Sequence, residues 1–254
     1  MLRDYLYIDR PRLVSYAEQI GATATKARNR QWRVALGLTG PVVEHQRGSE
    51  ERAANDHELA ESVTRHLRKK GELRTDRPAS LHDVDEGQAT FVLETMRARK
   101  VIFTLDGDSG PRGLRELAVW VSNPLENPSS RDAAGVRDEV ATGMFVYLLE
   151  GYWDDEPTER AYSMMTALNV LLSTLNDAGA TPAASARSDT SRDDYATPVN
   201  ILVRNGGIKG DMRTITALYR VRSVSENKIV NVGGRTLRCH DLFAYPLYVA
   251  AGNG

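Results

Sequence analysis

The sequence predicts an α+β fold: a mixed or mostly antiparallel sheet, about three helices packed on it, and a C-terminal β-meander. Three observations lead there. Aromatic and β-branched runs separated by turn residues recur from Tyr5 to Ala251. Only a few stretches repeat apolar residues at three-and-four spacing. The 254 residues are 41% hydrophobic and 26% charged, which suits a domain with a core and excludes collagen-like, coiled-coil and disordered chains.

Tyr5-Leu6-Tyr7-Ile8 is the first strand signal. Asp9 then stands at an N-cap position, Pro11 in a first helical turn, and Leu13, Tyr16, Ala17 and Ile20 follow at helical spacing until Gly21. Residues 22–31 form a polar insert that includes Lys26, Arg28 and Arg30. Trp32 to Glu44 reads as a strand interrupted by Gly40-Pro41. Ser49-Glu50-Glu51 opens a second helix, with Leu59, Val63 and Leu67 as its apolar stripe and Gly71 at its end. Strand signals return over Thr90 to Leu105 and Leu117 to Val121, joined through a hairpin-type Asp106-Gly107 pair. Met144 to Leu149 is a further strand. The longest helical pattern spans 157–178, from Pro157 through Met164, Leu168, Leu171, Leu172 and Leu175 to the stop at Gly179. Residues 180–197 are a loop or linker. Short strands follow at Val199 to Val203, Ile215 to Val224 and Ile229 to Val232, with a turn at Gly233-Gly234; Leu242 to Ala251 is a last strand or a short helix. The expected organisation is therefore one α+β domain over 1–179, completed by C-terminal strands over 198–254.

Composition removes several functional classes. The formal net charge is −1, with +3 over residues 1–115 and −4 over the remainder, far from the basic excess of a dedicated nucleic-acid binder. A single cysteine, Cys239, excludes a disulfide framework and a cysteine-rich zinc site. No apolar run approaches the roughly 20 residues of a membrane helix. The opening residues lack a charged-then-apolar signal layout, so the expected compartment is the cytoplasm.

The chemical constellations are weak. Asp106-Gly107-Asp108-Ser109-Gly110 fails the calcium-loop template, because Gly110 and Leu117 stand where oxygen ligands belong. His82-Asp83-Val84-Asp85-Glu86 offers an imidazole and three carboxylates, yet no second histidine follows at motif distance. Together Asp83, Asp85, Glu86, Asp106 and Asp108 would serve a metal-dependent hydrolase or nuclease only if their two loops converge. An unbroken strand over Thr90 to Leu105 would hold those loops roughly 50 Å apart. A turn at Arg97-Ala98-Arg99-Lys100 would bring them together. Cys239-His240-Asp241 is no ready triad, because neighbours in a strand face opposite sides. Ser225-Glu226-Asn227-Lys228 matches a Ser-x-x-Lys motif in spelling only and reads as a turn. The segment Arg204 to Gly210 is glycine-rich and basic, but no helix follows it to complete a phosphate cradle. It reads as a hairpin loop in which Arg204 or Lys209 can meet an anion. Three basic stretches, Lys26 to Arg33, Arg65 to Arg77 and Arg97 to Lys100, lie in the first half; Arg65, Arg68 and Lys69 are the exposed positions of the second helix.

The opening Tyr5-Leu6-Tyr7-Ile8-Asp9-Arg10-Pro11-Arg12-Leu13-Val14-Ser15-Tyr16 resembles the start of an uncharacterised bacterial domain family that begins Y-L-D-x-x-R-L-x-S-Y. Ile8-Asp9 stands where the family has Leu-Asp, and the match covers about a dozen positions. The resemblance implies a bacterial cytoplasmic protein of conflict or phage-defence loci and carries no catalytic residue over. The functional expectation is a non-enzymatic recognition module for a partner protein or small ligand, needing no cofactor. The alternatives are the metal-dependent hydrolase and a weak nucleic-acid or nucleotide binder using the basic first half.

Overall fold

The structure, a computed structural model, describes residues 4–21, 33–37, 40–44, 55–78, 84, 89–105, 116–122, 139–141, 144–151, 166–180, 198–232 and 235–252. The chain divides into two compact units, Arg10–Lys69 and, in the other, Met1–Asp9 with Lys70–Gly254. The fold is α+β, with a mostly antiparallel sheet and a C-terminal meander of strands.

The smaller unit holds helix α1 (Arg10–Gln19), strands β2 (Arg33–Gly37) and β3 (Gly40–Glu44), and all but the last residue of helix α2 (Asp56–Lys70). Pro11 falls in the first turn of α1, where its missing N–H leaves nothing unsatisfied, and Gly21 closes the segment at φ 68°. Strands β2 and β3 form an antiparallel hairpin, but Gly40 and Pro41 do not interrupt the pairing: they open β3 opposite Gly37 and Leu36. Helix α2 begins at Asp56, not at Ser49. The reason is a capping box: Asn55 Oδ1 accepts from the Glu58 N–H at 2.8 Å, and Glu58 Oε2 accepts from the Asn55 N–H at 3.1 Å. Gly71 closes it at φ 74°, as expected.

The larger unit is built on an eight-stranded sheet: β1 (Tyr5–Ile8), β4 (Leu73–Arg74), β5 (Phe91–Thr104), β6 (Glu116–Ser122), β7 (Glu139–Ala141), β8 (Phe145–Glu150), β9 (Ile208–Val232) and β10 (Arg235–Ala251). Five of these close on themselves. Strand β5 pairs with β6, β6 with β8, β8 with β10, β10 with β9, and β9 again with β5. All five junctions are antiparallel except β8 with β10, which is parallel. The spatial order β9-β5-β6-β8 is a Greek key, and β10 fills the remaining gap to make a barrel. Short β1 and β7 pair with β10, and β4 pairs with β5, outside the ring.

Side-chain alternation defines two layers. Met96 and Ala98 (β5), Trp120 (β6), Val146 and Leu148 (β8), Ile215, Ala217 and Tyr219 (β9) and Leu242 and Ala244 (β10) form one buried cluster. Every ring strand contributes, so this is the barrel interior. The opposite faces of β6, β8, β10 and the second half of β5 bury Val101, Phe103, Val119, Tyr147, Leu149 and Phe243 beneath helix α3 (Ala167–Asp177), through Leu168, Leu171 and Leu175, and helix α4 (Pro198–Arg204), through Leu202.

Four further expectations change. Strand β5 is continuous through Arg97-Ala98-Arg99-Lys100, so the turn considered there does not form. The helix expected from Pro157 begins at Ala167, because Thr166 is its N-cap in extended conformation; residues 157–165 lie outside the described residues. Val199 to Val203 is helical, not a strand: Pro198 presets a first helical turn and Leu202 is fully buried. Ser225-Glu226-Asn227-Lys228 lies inside β9, a single 25-residue strand paired along β10, not at a turn between two short ones. Leu242 to Ala251 is strand. No helix among the described residues is long and apolar enough to cross a membrane.

Candidate functional site

Among the described residues of the larger unit, Glu94, Glu150 and Asp241 are carboxylates largely withdrawn from solvent, each in a different manner. Glu94 points into the barrel. The Arg77 Nε lies 2.9 Å from both Glu94 carboxylate oxygens, and Arg77 Nη1 donates to the Met144 carbonyl at 2.8 Å. The Tyr219 hydroxyl donates to Glu94 Oε1 at 3.0 Å. Burial first, and then the Glu94 charge, push the Tyr219 phenol well above its usual range, so it stays a donor. Arg77 thereby ties the segment after β4 to β5 and to the residue preceding β8.

Glu150, at the end of β8, takes the Trp120 indole N–H on Oε1 and the Lys100 ammonium on Oε2 at 2.7 Å. The same Lys100 Nζ lies 5.3 Å from the centroid of the Trp120 ring, a cation–π contact. Burial raises the Glu150 carboxyl, and Lys100 and Trp120 partly offset that rise.

Asp241 faces the N-terminus of α3. That helix start is satisfied almost wholly from outside itself. Ser225 Oγ accepts from the Ala167 N–H, the Asp241 carboxylate from the Leu168 N–H, and Thr166 Oγ1 from the Asn169 N–H. Ser225 and Asp241 are cross-strand partners in the β9–β10 ladder, next to an irregularity between Cys239 and Asp241. Burial pushes the Asp241 carboxyl up to about 7, against the lowering effects of the Tyr147 hydroxyl and the Leu168 N–H.

The outer wall of β5 and β9 is different in kind. Register and alternation place Phe91, Leu93, Thr95, Arg97 and Arg99 beside Arg220, Leu218, Thr216, Thr214 and Met212 on one face. Phe91 and Leu218 are buried; Thr95, Arg97 and Arg220 are exposed; the others are half-buried. Thr95 and Thr216 share a hydroxyl hydrogen bond of 2.8 Å. None of the ten positions is acidic, and neither Arg97 nor Arg99 has an ion-pair partner among the described residues. At about 3.3 Å per residue the face runs roughly 26 Å from the Phe91–Arg220 pair to Arg99.

The residues singled out by sequence fall elsewhere. Arg65, Arg68 and Lys69 are exposed on α2 of the smaller unit, Arg65 lying 3.8 Å from Glu61. Lys209 is exposed on β9 of the larger unit. Arg204 is half-buried at the end of α4 with both terminal guanidinium nitrogens shielded from solvent. Asp83, Asp85, Glu86, Asp106 and Asp108 lie outside the described residues. Among the described residues no group of three or more His, Cys, Asp or Glu could hold a metal ion. The glycine-rich segment after α4 has a packing role: a Cβ on Gly207 would stand 2.4 Å from Val101 Cγ1. Sequence reasoning missed Glu94, Arg77, Tyr219, Glu150, Trp120 and the capping role of Asp241. Of the outer arginines it saw only the Arg97 to Lys100 stretch. No protein-family model, curated protein or solved structure matches this chain.

Proposed function

We propose that the chain is a non-enzymatic binding module whose ligand is a phosphate-rich polyanion, held on the outer face of β5 and β9. The observation that carries this is Arg97 and Arg99, without an ion-pair partner among the described residues, beside Thr95, Thr214 and Thr216 on a face whose ten paired positions hold no carboxylate. Arginine and hydroxyl side chains are the usual donors to phosphate oxygens, and such contacts fix a ligand without reading its sequence. A chain of net charge −1 that sets Arg97 and Arg99 two residues apart on one strand face offers a local field its composition does not advertise.

The scaffold supports the same reading by analogy. Five-stranded Greek-key barrels include the oligonucleotide- and oligosaccharide-binding domains, which present ligands on outer strand faces, most often that of the second and third strands. Here the outward side chains of β6 and β8 are buried under α3, while the β5–β9 wall keeps Thr95 and Arg97 exposed and Arg99 half-buried. The test is fluorescence anisotropy with a labelled oligothymidylate over a salt series. The wild type should bind at low salt, and Arg97→Ala with Arg99→Ala should weaken binding and reduce the salt slope by about 0.7 per arginine removed. No binding at low salt, or an unchanged slope in the double variant, would overturn the reading.

A further inference from the structure

We infer that Asp241, held between the barrel and the first turn of α3 with no cation against it among the described residues, is a proton-operated latch on that helix. The geometry is specific. Asp241 is 2% exposed, and its Oδ2 has no hydrogen-bond partner among the described residues. Among the described residues, Tyr147 from β8, Ser225 from β9 and the Leu168 N–H of α3 are the groups that meet it, and none is a cation. Ser225 is itself committed to the Ala167 N–H. A negative charge here gains from the helix N-terminus but lacks the second oxygen's partner and the solvent it would have in an open chain. A neutral carboxyl accepts from Leu168 with its carbonyl oxygen and carries its own proton on the other.

The direction of the pH effect follows. Burial pushes the folded carboxyl up to about 7, above its value in an unfolded chain. Its contribution to stability is therefore fully present below the unfolded value and is lost as pH rises through the folded one. Protonation closes the latch. Above neutrality the buried charge is relieved by opening the first turn of α3 to water, while Leu171 and Leu175 keep the rest of the helix on the barrel.

The test is chemical denaturation of the full chain and of Asp241→Asn across pH. Asparagine keeps an acceptor for the Leu168 N–H and cannot ionise. With an unfolded aspartate near 3.9, the folded-to-unfolded ratio of the wild type should fall about 30-fold relative to Asp241→Asn between about pH 5.5 and about pH 8.5. Amide exchange, corrected for its intrinsic pH dependence, should speed up over the same range at Leu168 to Val170 in the wild type only. Parallel stability curves would overturn the proposal. Should the variant not fold, carboxyl-carbon NMR of the wild type decides: an Asp241 midpoint near 7 is expected, and one near 4 refutes the latch.

Discussion

Glu94 inside the barrel and Asp241 beneath α3 are both withdrawn from solvent, yet their surroundings share almost nothing. Glu94 meets a guanidinium head-on and a phenol besides, and Arg77 passes its remaining donors to a backbone carbonyl and the Met96 sulfur. Among the described residues Asp241 meets no cation, only the Leu168 N–H and the neighbouring Tyr147 hydroxyl. The first arrangement compensates a fixed charge and makes it part of the core. The second leaves the charge conditional, so the proton becomes a ligand of the fold. Burial alone does not decide what a carboxylate does; the presence of a cation does.

The sharpest way to break this comparison is to make Glu94 resemble Asp241. Arg77→Ala leaves the Glu94 carboxylate buried and unpaired, and should destabilise the protein by about 3–5 kcal/mol in urea unfolding. A loss under about 1 kcal/mol would mean that water reaches Glu94 and that the pair is not structural. Replacing both partners, Arg77→Met with Glu94→Leu, should cost less than Arg77→Ala, since no charge is stranded.

Glu150 is the intermediate case, with a cation that is itself 28% exposed. Lys100→Met should cost about 1–3 kcal/mol at neutral pH, less than the loss of Arg77, because solvent screens part of the interaction. The Glu150 carboxyl is already raised by burial, and removing Lys100 raises it further. The gap between variant and wild type should therefore shrink as pH falls and the carboxyl becomes neutral in both. A gap independent of pH would show that Lys100 acts through its contact with the Trp120 ring instead.

The smallest effects concern helix ends. Thr166→Ala removes one bond from the start of α3 and should cost about 0.5–2 kcal/mol. Asn55→Ala breaks the capping box of α2 and should cost about 1 kcal/mol. Both losses should be nearly flat between about pH 6 and about pH 9, in contrast to Asp241. Stability curves of Thr166→Ala that steepen with pH would show that the whole helix start, not Asp241, carries the dependence.

What the sequence reveals and what it conceals divide along the range of the interaction. Strand β1, helix α1 and the ends of α2 and α3 are legible because Pro11, Gly21, Gly71 and Gly179 act on their own neighbours. Strand β9 is obscured because Ser225-Glu226-Asn227-Lys228 has turn composition, while pairing with β10 carries the chain straight through it. Helix α4 is obscured because the run Ile201-Leu202-Val203, with Val199 before it, suits a strand as well as a buried helix. The polar sites are the least visible. Arg77 reaches Glu94 across 17 positions and Met144 across 67, and Ser225 meets the start of α3 across 58. Arg97 and Arg99 are visible as charge, but only register with β9 shows that Arg220, Thr214 and Thr216 share their face.

The β5–β9 wall and the exposed basic end of α2 are rival candidates for an anion surface, one found by register and the other by composition. Amide NMR of the full chain, titrated with an oligothymidylate at low salt, separates them. Shifts concentrated at Thr95 to Arg99 and at Met212 to Thr216 are predicted. Shifts centred instead on Arg65, Arg68 and Lys69, with the β5–β9 wall unmoved, would contradict the assignment of the binding face.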